Sequence, residues 1–292
     1  MMAAPPSWIL LKALEAADPP APQALHDFSR VVGAPNPAPD FLEWSVRIGA
    51  GYQAARLTYY FDVARCGGVK VGAVLERFAK VAMALVGALP EPLLTAMQII
   101  GGRREVLQIV VGIDERPGQE RRVKLYLVLQ EAAPELIESL LGAVGYQEVR
   151  GMDLAKVYIL GLDVSASGVE DAKLYVRLDR KRLGQVVENL PEVGELWVAT
   201  REVVFQRCLK RDRSQVYLHM DNPSSLVHYL MRRSWVDREA ARLVDHHARV
   251  QQGLGRGRLE PWIISFGYRH RKLLLGGSNV YFHWVGAEVL EG

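Results

Sequence analysis

The chain has 292 residues, 49% of them hydrophobic and 24% charged, a balance that fits one folded globular domain with a sizeable core. A formal charge of +3, with Lys and Arg dispersed rather than in blocks, is too small to point to nucleic acid. Two cysteines, Cys66 and Cys208, fit a reducing compartment and no metal site; the N-terminus carries no basic leader with an apolar run, and no stretch reaches the roughly 18 apolar residues of a spanning helix, so a cytoplasmic protein without a membrane partner is expected.

Residues 1–40 read as a loose tail, a helical piece at 8–16, and a stiff Pro-rich connection around a second short helical piece. Its prolines are Pro19, Pro20, Pro22, Pro35, Pro37 and Pro39. From 41 to 48, Trp44, Val46 and Ile48 alternate with Glu43, Ser45 and Arg47, the period-2 mark of a strand with two unlike faces. Gly49-Ala-Gly51 supplies a hairpin turn, and the next strand alternates Arg56, Thr58 and Tyr60 with Leu57, Tyr59 and Phe61. Val71, Val74, Leu75, Phe78, Val81, Ala82 and Leu85 then form one helical stripe over 69–89, stopped by Pro90.

The cycle returns. Strands are expected at 105–114 and 122–130 around Pro117-Gly118, at 154–164 and 172–178, at 196–208 and 214–220, and at 259–270 and 273–285. Helices fall at 135–141, at 183–190, and at 223–249 with a break near Ser234. The second strand of every hairpin puts a tyrosine on the same face as a basic or imidazole side chain. These are Tyr60 with Arg56, Tyr126 with Lys124, Tyr175 with Lys173 and Arg177, Tyr217 with His219, and Tyr281 with His283.

Ten antiparallel strands with one apolar face and helices between hairpins predict an α+β fold. The sheet closes into a barrel, the apolar face turns outward under a ring of helices, and the polar, tyrosine-rich face lines a lumen. Such a lumen suits an anion held next to something electron-deficient. The domain expected over 41–292 is this single barrel.

The strand pairs resemble those of the ABBA-fold prenyltransferases and, more narrowly, the cyanobactin prenyltransferases, which alkylate residues of ribosomally made cyclic peptides. The likeness lies in Leu42-Glu-Trp-Ser-Val-Arg-Ile48 with Ala55-Arg-Leu-Thr-Tyr-Tyr-Phe61, and in Gly112-Ile-Asp114 with Val123-Lys-Leu-Tyr126. It continues in Leu160-Gly-Leu-Asp163 with Lys173-Leu-Tyr175, in Val216-Tyr-Leu-His219 and in Val280-Tyr-Phe-His-Trp284. The resemblance implies transfer of a dimethylallyl group from dimethylallyl diphosphate to a peptide acceptor, in particular a macrocycle, by a monomeric enzyme. It also implies Mg²⁺ accompanying the diphosphate, with no dedicated metal cluster. A small-molecule aromatic prenyltransferase and a non-catalytic isoprenoid- or peptide-binding barrel are the alternatives.

Prenyl transfer needs cations for the departing diphosphate, an aromatic wall around the allylic cation, and a base. Arg56, Lys124, Lys173, Arg177 and His219 are the candidates for the diphosphate, unless each is paired with an inward acid. Tyr60, Tyr126, Tyr175, Tyr217 and Tyr281 are the candidates for the shield, unless they are ordinary strand aromatics. Glu43 stands where the resemblance puts the general base, with a Glu43–Arg47 pair as the alternative. Phe205 stands where it puts a bulky residue that limits donor length, although alternation leaves open whether Phe205 or Val204 faces inward.

Overall fold

A computed structural model describes residues 23–34, 36–37, 39–48, 55–64, 67–115, 120–130, 133–146, 149, 151–188, 190–211, 213–254 and 257–285. The expectations placed on 1–22, on Pro35, on Cys66, on the turns at 49–51 and 117–118 and on the middle of the glycine-rich stretch at 253–257 lie outside the described residues.

The ten expected strands are present: β1 (Phe41–Arg47), β2 (Ala55–Asp62), β3 (Val106–Glu115), β4 (Arg122–Leu129), β5 (Val157–Ser165), β6 (Gly168–Leu178), β7 (Thr200–Cys208), β8 (Ser214–Met220), β9 (Arg258–Arg269) and β10 (Lys272–Val285). Each pairs antiparallel with its neighbours, and β1 pairs with β10, so the sheet is a closed barrel. Closure removes the edges that an open ten-stranded sheet would expose. It also puts all five hairpin turns at one end of the barrel and the helix-bearing connections at the other.

Among the described residues the α-helices are α1 (Gln23–Val32), α2 (Gly67–Val86), α3 (Glu91–Gly101), α4 (Pro134–Ala143), α5 (Arg180–Val186), α6 (Gly194–Val198), α7 (Pro223–Ser234) and α8 (Arg238–Gly253). No described helix is long and apolar enough to cross a membrane. The break expected near Ser234 separates α7 from α8, where Asp237 caps α8 by accepting from the amides of Glu239 and Ala240. Two expectations are corrected. Residues 196–198, expected as the start of β7, belong to the helix Gly194–Val198, and 154–156, expected as the start of β5, form a single 3₁₀ turn capped by Asp153. The sequence reading also missed α3, where Pro92 in the first turn starts a helix that buries Leu93, Ala96 and Ile100.

The core lies outside the barrel wall. Leu57, Phe61, Leu125, Leu174 and Phe282 point outward from the strands and pack in one buried cluster with Phe78, Leu93, Ile137 and Leu226 of the helices. With the apolar faces satisfied there, the opposite faces of the same strands are free to carry the site.

A layered candidate site inside the barrel

Strand parity sets the layers. On β2, Arg56, Thr58 and Tyr60 share the inner face. Cross-strand register brings Arg56 opposite Asp114 of β3, and Lys124 of β4 opposite Asp163 of β5. The resulting network spans β2 to β6 near the hairpin-turn end. Arg56 Nε lies 3.4 Å from Asp114 Oδ2, Lys124 Nζ lies 3.3 Å from Asp114 Oδ2 and 3.9 Å from Asp163 Oδ1, and Lys173 Nζ donates to both Asp163 oxygens at 2.6 and 2.5 Å. Three cations thus share two carboxylates. The Lys124 and Asp163 side chains are only 3% and 2% exposed.

Burial and shared partners split the charges unequally. Burial, reinforced by the nearby Arg56 guanidinium, pulls the Lys124 ammonium down to about 7. Burial opposes the Lys173 charge too, but its bidentate Asp163 carboxylate outweighs that effect and its pKa rises. Asp163 is held well below the ordinary carboxylate range: burial works to raise it, and Lys124 and Lys173 together overcome that. This chamber, lined also by Gln206, Cys208, Gln215 and the further arginines Arg122, Arg211 and Arg213, holds about 430 Å³ of empty space, open solvent included.

Next along the lumen comes an arc of phenols. Tyr126, Tyr175, Tyr217 and Tyr281, from β4, β6, β8 and β10, follow one another at ring-centroid distances of 6.1, 5.8 and 5.8 Å. The Tyr281 hydroxyl reaches back to Arg56 Nη1 at 3.4 Å. Tyr60 of β2 supplies the fifth ring, its hydroxyl hydrogen-bonded to Glu43. Burial raises Tyr126 to about 12, and raises Tyr175, Tyr217 and Tyr60 well above the ordinary phenol value. Tyr60, Tyr126, Tyr175 and Tyr217 therefore stay neutral near pH 7. The arc depends on a missing side chain: a Cβ on Gly161 would stand 2.6 Å from Tyr126 Cδ1, so only glycine lets that ring lie across β5.

Beyond the arc the lumen turns apolar, lined by Val110, Val128, Ile159, Val204 and Ile263; about 720 Å³ of empty space, open solvent included, runs from Arg56 and Lys124 past the tyrosines to Glu43. Glu43 is buried on β1 opposite His283 of β10, with 3.7 Å between Oε2 and Nε2. The His283 ring is edge-on to Phe41 at 4.5 Å and stacked on Trp262 at 5.8 Å.

The structure gathers most of the expected residues and separates three of them. Arg56, Lys124 and Lys173 meet in one chamber, and all five tyrosines line the lumen. Arg177 does not join the cations. It lies near the opposite end, 53% exposed, with Nε 2.5 Å from Glu202 Oε1 and its guanidinium 4.1 Å over the Tyr158 ring. Its parity is right, but it comes four residues after Lys173 on β6, which carries it past the arc. His219 lies toward the same end, 3.7 Å from Glu202, but still lines the lumen beside Glu43, and burial lowers its pKa despite the Glu202 carboxylate. Phe205 faces outward, packing on the helix-side core and edge-on to Tyr268 at 5.9 Å, while Val204 points into the lumen. Asp114 and Asp163, quoted above only inside motifs, are central, and the parity that placed Lys124 would have placed them.

Among the described residues no group of three or more His, Cys, Asp and Glu gathers as for a resident metal. The two carboxylates of the cation chamber, Asp114 and Asp163, already carry lysines.

No family model matches the chain, and no curated protein matches it by sequence. Solved structures do match. The 6-dimethylallyltryptophan synthase of Micromonospora olivasterospora, in complex with DMASPP and Trp, is 14% identical with a TM-score of 0.65 over 94% of this chain and 95% of its own. The 5-dimethylallyl tryptophan synthase of Streptomyces coelicolor, in complex with the same two ligands, is 14% identical at 0.64 over 98% and 96%. The apo form of the prenyltransferase PriB is 13% identical at 0.65 over 98% and 97%. The barrel is the ABBA prenyltransferase fold throughout the described chain.

Proposed function

We propose that the protein is a prenyltransferase that moves a dimethylallyl group from dimethylallyl diphosphate to an electron-rich aromatic acceptor. The observation that carries this is the order along one lumen: cation chamber, tyrosine arc, apolar space, buried carboxylate. The diphosphate belongs with Arg56, Lys124 and Lys173, where negative charge grows as the carbon–oxygen bond breaks. The allylic cation then lies among the tyrosine faces, which favour positive charge and exclude water. The acceptor ring enters from the Glu43 side, and Glu43, held by Tyr60 and paired with His283, accepts its N–H or O–H. Magnesium belongs to this proposal as an ion that would be carried by the diphosphate oxygens, with no side chain assigned to hold it, and it would neutralise charge on the leaving group.

The neighbouring structures named for dimethylallyl tryptophan synthases support a small aromatic acceptor. A tryptophan or tyrosine side chain of a peptide presents the same ring, so the cyclic-peptide acceptor expected from the sequence becomes one arm of the test. Mass spectrometry of the protein with dimethylallyl diphosphate and a panel of indoles, phenols, tryptophan, tyrosine and Trp- or Tyr-containing cyclic peptides should find one dimethylallyl group added to an aromatic acceptor. No adduct on any member, with the donor bound and intact, would leave a non-catalytic barrel instead.

A further inference from the structure

We propose that Asp163, seconded by Asp114, is a built-in counter-anion that gives up its lysines when the diphosphate arrives and takes them back when pyrophosphate leaves. This rests on the donor site proposed above and adds a role for two residues that no diphosphate-binding argument requires.

The arrangement is specific. Consecutive strands alternate in charge: Arg56 on β2, Asp114 on β3, Lys124 on β4, Asp163 on β5 and Lys173 on β6. Each of these three cations is therefore already in contact with a carboxylate. Three buried cations with no counter-charge would repel one another and favour deprotonation, as the low value of Lys124 shows even with the aspartates present. Within this five-residue network the two carboxylates offset most of the charge of Arg56, Lys124 and Lys173, so a diphosphate held by these cations must exchange partners with Asp114 and Asp163.

Exchange is mechanically simple. Lys124 and Lys173 carry their charges on flexible four-carbon stems that can swing toward a new oxygen, whereas the aspartates sit on short side chains fixed to paired strands. A bound diphosphate must then share its lysines with Asp163 and Asp114 at close range. Their repulsion weakens its hold, and weakens it most for free pyrophosphate, the more highly charged product. Asp163 is in this account a positioning residue for the lysines and a device for product release, with no contact to the reacting carbon.

The test is binding of inorganic pyrophosphate to wild type, Asp163→Asn and Asp114→Asn, measured by calorimetry and as a pyrophosphate-dependent rise in melting temperature, each with and without Mg²⁺. Removing a like charge at this range should tighten pyrophosphate binding by about tenfold or more in Asp163→Asn, with slower release. Should Asp163→Asn prove too unstable to isolate, Asp114→Asn must show the same direction, since Asp114 holds Lys124 and Arg56 from the other side. In turnover, kcat and KM should fall together as release becomes limiting. Equal or weaker pyrophosphate binding in the variants overturns the proposal. Weaker binding only when Mg²⁺ is present overturns it too, by making the carboxylate a metal ligand. Failure of wild type to bind pyrophosphate at all would instead remove the donor site itself.

Discussion

Glu43 and Lys124 carry the sharpest chemistry in the lumen, and each can be tested alone. Replacing Glu43 with Gln keeps its size and removes its ability to take a proton. Transfer should fall by about a hundred- to ten-thousand-fold while donor binding, centred across the tyrosine arc, stays near wild type. Unchanged turnover in Glu43→Gln would take this carboxylate out of the mechanism. Lys124 makes a pH prediction. With its pKa lowered to about 7, it is largely neutral above that value in the free protein, yet the diphosphate prefers it charged. Donor binding above pH 7 therefore takes up a proton, and affinity should decline by up to about tenfold per pH unit as pH rises beyond 7. Lys124→Arg, whose guanidinium stays charged, should bind with a flat profile. A flat profile in wild type would show that Lys124 is not the group titrating.

At the scale of single strands, parity decides which face a residue serves, and one-residue errors reverse a role. Val204 and Phe205 are adjacent on β7. Val204→Gly should open the apolar end of the lumen and shift donor preference from dimethylallyl toward geranyl by about tenfold or more, read from competition between the two diphosphates. Phe205→Ala should leave that preference alone and cost about 1–3 kcal/mol of stability through lost packing on Tyr268 and the helices, seen in denaturant unfolding. A donor shift in Phe205→Ala would contradict the strand orientation. Gly161→Ala tests the arc through β5. Its new Cβ must push the Tyr126 ring away, so more donor should be lost to water per product formed, measured as the ratio of dimethylallyl alcohol to prenylated acceptor. An unaltered ratio would mean that the Tyr126 ring does not shield the cation.

Across the whole molecule, much of the fold was legible because strand alternation and the recurrence of a tyrosine on each second strand survive in any single sequence. Ten strands with helices between hairpins admit few solutions other than closure. The position of a residue along the barrel axis was less legible. Arg177, His219 and Lys173 share an inward face, and only the registers of β6 with β7 and of β7 with β8 show that the first two lie past the arc, beside Glu202. Asp114 and Asp163 had the right parity but no cue to their pairing, because ion pairs across β3–β4 and β5–β6 depend on register that alternation does not set. Position along the axis is also the central claim, with the donor at the hairpin-turn end and Glu43 at the helix-connected end. The direct measurement is a crystal structure with a non-hydrolysable dimethylallyl diphosphate analogue. The account predicts diphosphate oxygens within hydrogen-bonding distance of Arg56, Lys124 and Lys173, with the prenyl tail running along the tyrosine arc toward Val204. A diphosphate bound instead beside Arg177 and His219 would contradict it.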